Sequence, residues 1–134
     1  DGGVLEPSAY FVLSDVYRSI FGGSPYDAKA VPNYQRLSPT FRAKLAAGPV
    51  LQQVAAGLAS QLEFHVALRQ AGNPSELVYY PNETHLFHQP RHQLTAMQEN
   101  IDWFDFWLLG KEDPDPAKAA QYQRWRAMRE QWKH

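Results

Sequence analysis

Apolar residues recur along this chain in two rhythms, and the changes between them outline its elements. From Pro7 to Phe21, "PSAYFVLSDVYRSIF" places apolar side chains at Tyr10, Leu13, Tyr17 and Ile20. That three-and-four spacing predicts one amphipathic helix, stopped by Gly22-Gly23. Ser24 to Gly48 holds three prolines and predicts loops with short helical turns laid over a surface. "PVLQQVA", Pro49 to Ala55, is short, apolar and preceded by Gly48, as expected of a strand buried in a parallel sheet. The helical rhythm returns over Leu58 to Ala71, with Leu62, Val66 and Leu68 among its apolar positions and Gly72 as a C-terminal cap. "SELVYYP", Ser75 to Pro81, reads as a second strand. From His92 to Leu109, the residues Leu94, Met97, Ile101, Phe104 and Leu108 mark one helix face, with Asp102, Asp105 and Lys111 mostly off it. "GKEDPDP" is a linker, and Ala117 to Lys133 reads as a basic, tryptophan-bearing terminal helix.

The order strand, helix, strand, loop, helix is a βαβ pattern, so the fold class is α/β with parallel strands and right-handed crossovers. Two strands do not complete such a sheet, because parallel strands need neighbours on their edges and cover on both faces. The chain therefore reads as part of a domain. Its opening, an acid and two glycines with no methionine, fits the middle of a longer chain. The 134 residues are 44% hydrophobic and 13% aromatic, ample for a buried core and against disorder. Thirteen basic and fourteen acidic side chains give a net charge of −1, so no bulk attraction to nucleic acid or anionic membrane is expected. Cysteine is absent, which excludes a disulfide scaffold and thiolate zinc sites. The apolar runs are too short to span a bilayer, and the N-terminus lacks the features of a signal peptide. No repeats or low-complexity tracts occur.

In open α/β sheets, functional residues gather in loops beyond the carboxyl ends of the strands. The loop after Leu77 to Tyr80 reads "PNETHLFHQP" and contains His85. A histidine held off a strand end by turn residues is placed as a general base would be. His85, His88 and His92 also invite a metal reading, but Pro90 keeps them off one regular helix and only Glu83 could add an acidic ligand nearby. No metal or cofactor is expected. His65, inside a helix, reads as packed or half exposed. The terminal helix combines Trp125 and Trp132 with Arg124, Arg126, Arg129 and Lys133, a mixture that could stack on single-stranded nucleic acid. At near-neutral charge, a helix docking its tryptophans on the rest of the fold is the preferred reading.

Taken together, "GPVLQQ", "ALRQAGNPSELVYYPNETH" and "NIDWFDFWLLGKED" followed by "PDPAKAAQYQRW" resemble the C-terminal end of the α/β-hydrolase catalytic domain in the prolyl oligopeptidase family of serine peptidases. Residues 1–111 would then be the C-terminal portion of that domain, incomplete on its own, and residues 112–134 a linker and docking helix. "HQPRHQL" and the last two segments are most similar to lasso peptide isopeptidases. The resemblance implies a triad histidine at His85. It further implies a peptide substrate, a threaded lasso peptide whose macrocycle isopeptide bond is hydrolysed. An upstream part of the same domain and a β-propeller domain would be its partners within one chain; a homo-oligomer and the compartment stay open.

Two departures accompany the resemblance. The family's nucleophile sits on a G-x-S-x-G elbow, which this sequence lacks, so the serine and oxyanion hole would lie upstream. Where the family has its triad acid, after "VLQQV", this chain reads Ala55, Ala56, Gly57, Leu58. Glu63 and Glu83 are the carboxylates that could substitute. A non-catalytic, acid-less hydrolase-like segment or binding module is the alternative, and the segment alone is expected to be inactive and to aggregate or stay loosely ordered.

Overall fold

A computed structural model of the chain describes residues 6–132. Lys133, assigned above to the terminal helix, lies outside the described residues, as does the Asp1 to Leu5 opening. The chain runs through helices α1 (Ser14–Phe21) and α2 (Val31–Leu37), strand β1 (Val50–Val54), helix α3 (Leu58–Gln70) and strand β2 (Ser75–Tyr79). Helices α4 (Pro90–Phe104) and α5 (Ala119–Gln131) complete it. Short 3-10 turns cover Pro7–Phe11, Pro39–Leu45 and Pro116–Lys118, and a π-helical turn, Asp105–Leu109, extends α4. None of the described helices is long and apolar enough to cross a membrane.

The single helix expected over Pro7 to Phe21 is instead a 3-10 turn followed by α1. The two are separated at Leu13, whose backbone (φ −122°, ψ 40°) is not helical. Tyr17 and Phe21 are buried, four residues apart, while the expected Leu13 and Ile20 face outward. What decides the buried face is α2: Phe21 stacks on Tyr34 with ring centroids 4.0 Å apart, and the Tyr34 hydroxyl donates to the Gly23 carbonyl at 2.9 Å. Gly22 ends α1 in the left-handed region (φ +82°), where a side chain would be strained.

Glu6 is buried against this cluster, with the Thr40 amide donating to its Oε1 at 2.9 Å. Burial pushes its carboxyl up to about 7 against the opposing pull of Thr40, and nearby Glu63 adds to the rise. The folded chain therefore holds this proton to higher pH than the unfolded chain, and stability falls as pH rises from about 4.5 to about 7. Glu6→Gln should remove that loss, gaining about 1–2 kcal/mol at pH 8 after allowance for solvent screening and much less at pH 5. Thermal unfolding at both values checks this; an equal gain at each would refute it.

β1 and β2 pair in parallel, with Val50 opposite Ser75 and Val54 opposite Tyr79. They form a two-stranded sheet among the described residues. α3 crosses between them, starting from Gly57 (φ +70°) and ending before Gly72 (φ +83°). Leu68 is the buried anchor of α3, whereas Leu62 and Val66 are exposed.

α4 departs most from expectation. All five residues of the predicted apolar face, Leu94, Met97, Ile101, Phe104 and Leu108, are between 54% and 74% exposed. The opposite side is the packed one. Ala96, Asp102 and Trp103 are buried, and Gln53 of β1 donates to the Ala96 carbonyl at 2.8 Å. Trp103 and Phe106 join Tyr122 and Trp125 of α5 in a second core. The Lys118 ammonium, 2.8 Å from Asp102 and 2.6 Å from Asp113, ties the linker to α4. α4 thus carries two usable faces, and the elements present cover the aromatic one. Parallel sheets are normally covered on both faces, and here a two-stranded parallel sheet accompanies an uncovered apolar stripe on α4.

Candidate active site

The parallel register brings the carboxyl ends of β1 and β2 to one edge of the sheet. Beyond the Val54–Tyr79 pair, the Tyr80 amide donates to the Val54 carbonyl at 2.8 Å. The loop after β1, Ala55 to Gly57, and the loop after β2, 80–89, therefore leave the same edge side by side. Tyr80 roots the second loop. It is buried, its hydroxyl donates to Glu99 of α4, and its ring packs on Phe87 (4.7 Å) and edge-on to His92 (5.5 Å). The chain reverses at Asn82, whose φ of +60° is one that asparagine tolerates better than most residues.

His85 lies exposed on the bend of this loop. Below it sits Glu83, whose side chain is wholly buried. Its Oε2 accepts from the His88 amide at 2.9 Å and lies 2.8 Å from His88 Nδ1. Its Oε1 accepts from the Gln89 amide at 3.2 Å and lies 2.8 Å from His92 Nδ1. An ionised carboxylate only accepts, so both imidazoles carry their proton on Nδ1 toward it. Burial pushes the Glu83 carboxyl up, but the amides of His88 and Gln89 and the His92 ring outweigh it and hold the group below the usual carboxylate range. The Gln93 side chain donates through Nε2 to the Phe87 carbonyl at 2.6 Å, and the Gln89 side chain to the Asn82 carbonyl at 3.1 Å.

The sequence-predicted residues separate accordingly. His85 stands at the tip, whereas His88 and His92 turn inward to Glu83. Among the described residues, no group of three or more histidine, aspartate or glutamate side chains is arranged to hold a metal ion. His65 is half-buried on α3, with Nδ1 2.8 Å from the Ser75 hydroxyl, and burial lowers its pKa. Of the two carboxylates that could replace a triad acid, Glu63 accepts from the amide and hydroxyl of Ser8 at 3.1 and 2.7 Å, and Glu83 is the anchor just described. The loop after β1 offers only two alanines and a glycine.

Trp125 is buried rather than presented for stacking, Arg124 and Arg126 pair with Glu76 (2.8 Å) and Glu112 (2.6 Å), and Arg129 lies over the Phe106 ring at 3.6 Å. The terminal helix is docked on α4. What sequence reasoning missed is the Glu83 anchor. Its spacings of five and nine residues to His88 and His92 belong to no regular element, so only the fold of the loop reveals them.

Residues 31–111, more than half of the chain, match the model of the prolyl oligopeptidase family. The lasso peptide isopeptidase AtxE2 of Asticcacaulis excentricus is 57% identical over 63 residues, which cover 47% of this chain and 9% of that protein. Two solved structures of the AtxE2 isopeptidase superpose with a TM-score of 0.72 each. One is the apo enzyme, 39% identical over 84% of this chain. The other is a serine-to-alanine variant with astexin3-dC4 bound, 42% identical over 80% of this chain. The chain spans 17% of the length of each of those solved structures.

Proposed function

This chain belongs to the prolyl oligopeptidase family, and from that premise we propose that it is the C-terminal segment of a serine isopeptidase acting on lasso peptides, with His85 as the general base. The reading is supported above all by one juxtaposition: the histidine loop and the short loop after β1 leave the same edge of a parallel sheet, where this architecture gathers its catalytic groups. The similarity to AtxE2, which has been solved with astexin3-dC4 bound, supports the substrate class.

The chemistry is acyl transfer. A serine upstream attacks the isopeptide carbonyl, His85 takes the serine proton, and backbone amides stabilise the oxyanion. Collapse of the tetrahedral intermediate returns that proton to the departing amine, and water then repeats the sequence to free the enzyme. The remainder of the hydrolase domain would cover Leu94, Met97, Ile101, Phe104 and Leu108 on α4. Incubating the full-length protein with a threaded lasso peptide should give a linear product one water heavier. Cleavage of linear peptides alone, with the threaded substrate untouched, would exclude the isopeptidase reading.

A second reading, an acid-less hydrolase relative, draws on the loop Ala55 to Gly57, which has no carboxylate, and on the engagement of Glu63 and Glu83 elsewhere. Ala55→Asp and Ala56→Asp separate the two. Gly57 is a poorer site for the acid because its φ of +70° strains any side chain. If the loop has lost its acid, one of the two substitutions should raise kcat about ten- to a hundredfold, a fraction of what an orienting acid supplies in a studied triad. Unchanged kcat in both would place the orienting group outside this loop.

A further inference from the structure

Resting on the reading of His85 as general base, we propose that Glu83 is a positioning residue that closes the neck of the loop and fixes where His85 stands. Its carboxylate is wholly buried and sits two residues before His85. The groups it holds, the amides of His88 and Gln89 and the rings of His88 and His92, all come from the chain beyond His85. The carboxylate therefore bridges the two limbs of the loop and confines the backbone freedom of the intervening segment, Thr84 to Phe87, whose last residue is also held by the Gln93 side chain. Thr84 narrows that freedom further, its hydroxyl donating to the Leu86 carbonyl at 2.9 Å.

Burying an ionised carboxylate is unfavourable unless its oxygens are saturated with donors, and here each oxygen has a backbone amide and an imidazole. Few other side chains could do this. Glutamine has one acceptor oxygen, and its amide hydrogens would face the Nδ1–H or N–H of the other limb. Aspartate is one methylene too short to reach the same donors. The need for a rigid neck follows from the task of the base. Moving a catalytic group by about 1 Å costs on the order of a hundredfold in rate, and a loop with no regular structure needs such ties to hold its tip in place. The roles also divide between the two rings: His92 is 13% exposed and packs on Tyr80, whereas His88 is 61% exposed, so His92 is the stronger of the two tethers.

The test uses the full-length hydrolase, with kcat and KM measured for a threaded substrate alongside thermal melting. Glu83→Ala should lower kcat about a hundredfold and the isosteric Glu83→Gln about tenfold, with KM within about twofold and melting temperature unchanged within a few degrees. Turnover by both Glu83 variants within twofold of the unchanged enzyme, while His85→Ala is inactive, would overturn the positioning role and leave the proposed function standing. Losses that track only the fraction of folded protein, or that raise KM as much as they lower kcat, would make Glu83 a merely structural residue and also overturn it. Full activity of His85→Ala would remove the proposed function itself, and with it this inference.

Discussion

Replacing His85 with alanine in the full-length hydrolase should lower kcat by about three to four orders of magnitude, with KM for the peptide changed only a few-fold. The imidazole stands on the exposed bend of the loop beyond β2, and its work as a base is done only as the serine attacks. Its loss therefore falls on the transition state rather than on substrate binding. Labelling of the upstream serine by a fluorophosphonate should slow in parallel, since that reaction needs the same proton removed. The size of the loss is itself informative. An imidazole lacking an orienting acid starts from a much lower rate, so a drop of less than about tenfold would identify the acid-less condition that the Ala55 to Gly57 loop raises. Unchanged labelling and turnover would remove His85 from the mechanism.

Trp125→Ala should be the most destabilising single change in the described residues, costing about 3–5 kcal/mol. Trp125 is 2% exposed and meets Trp103, Phe106 and Tyr122 with ring centroids at 5.1, 5.5 and 5.3 Å. With Tyr122 it forms the aromatic contact that joins α5 to α4 and the π-turn, so its removal opens a cavity between them that the surrounding rings cannot refill. Its indole N–H has no acceptor among the described residues. Trp125→Phe consequently loses area but no hydrogen bond, and should cost well under half as much. Denaturant unfolding of the two variants, with trypsin cleavage at Arg124 and Arg126 as a probe of an undocked helix, tests the ranking. Equal stability of the two variants would show that α5 is held by its ion pairs instead.

The α5 contacts explain why the terminal helix was only half legible. Its mixture of tryptophan and arginine is visible in the sequence, yet that composition suits nucleic-acid stacking and intramolecular docking alike. Burial of Trp125 and the pairing of Arg124 with Glu76, 48 residues away in sequence, separate the two, and both are long-range facts. α4 shows the same limit from the other side. Leu94, Met97, Ile101, Phe104 and Leu108 do form one stripe, as their spacing requires, but a stripe says which residues share a face and nothing about which face finds a neighbour. Here the neighbour, α5, brings aromatic rings that match Trp103 and Phe106. In α1, likewise, Tyr17 and Phe21 are buried because Tyr34 is there to receive them.

By itself, the sequence determined the two strands, the helix between them and the family. β1, α3 and β2 lie within two residues of the expected Pro49 to Ala55, Leu58 to Ala71 and Ser75 to Pro81, because short apolar runs and flanking glycines act through backbone geometry over a few residues. The placing of a histidine loop beyond a parallel strand followed from the same order. Only the tertiary structure decided that His88 and His92 turn inward to Glu83 while His85 stays at the tip. Three imidazoles within eight residues of sequence are chemically alike, and what distinguishes them is a buried carboxylate with room for two rings and two amides. That selection depends on the closed loop, where a wholly buried carboxylate needs donors on both oxygens, and no periodicity in the chain encodes it.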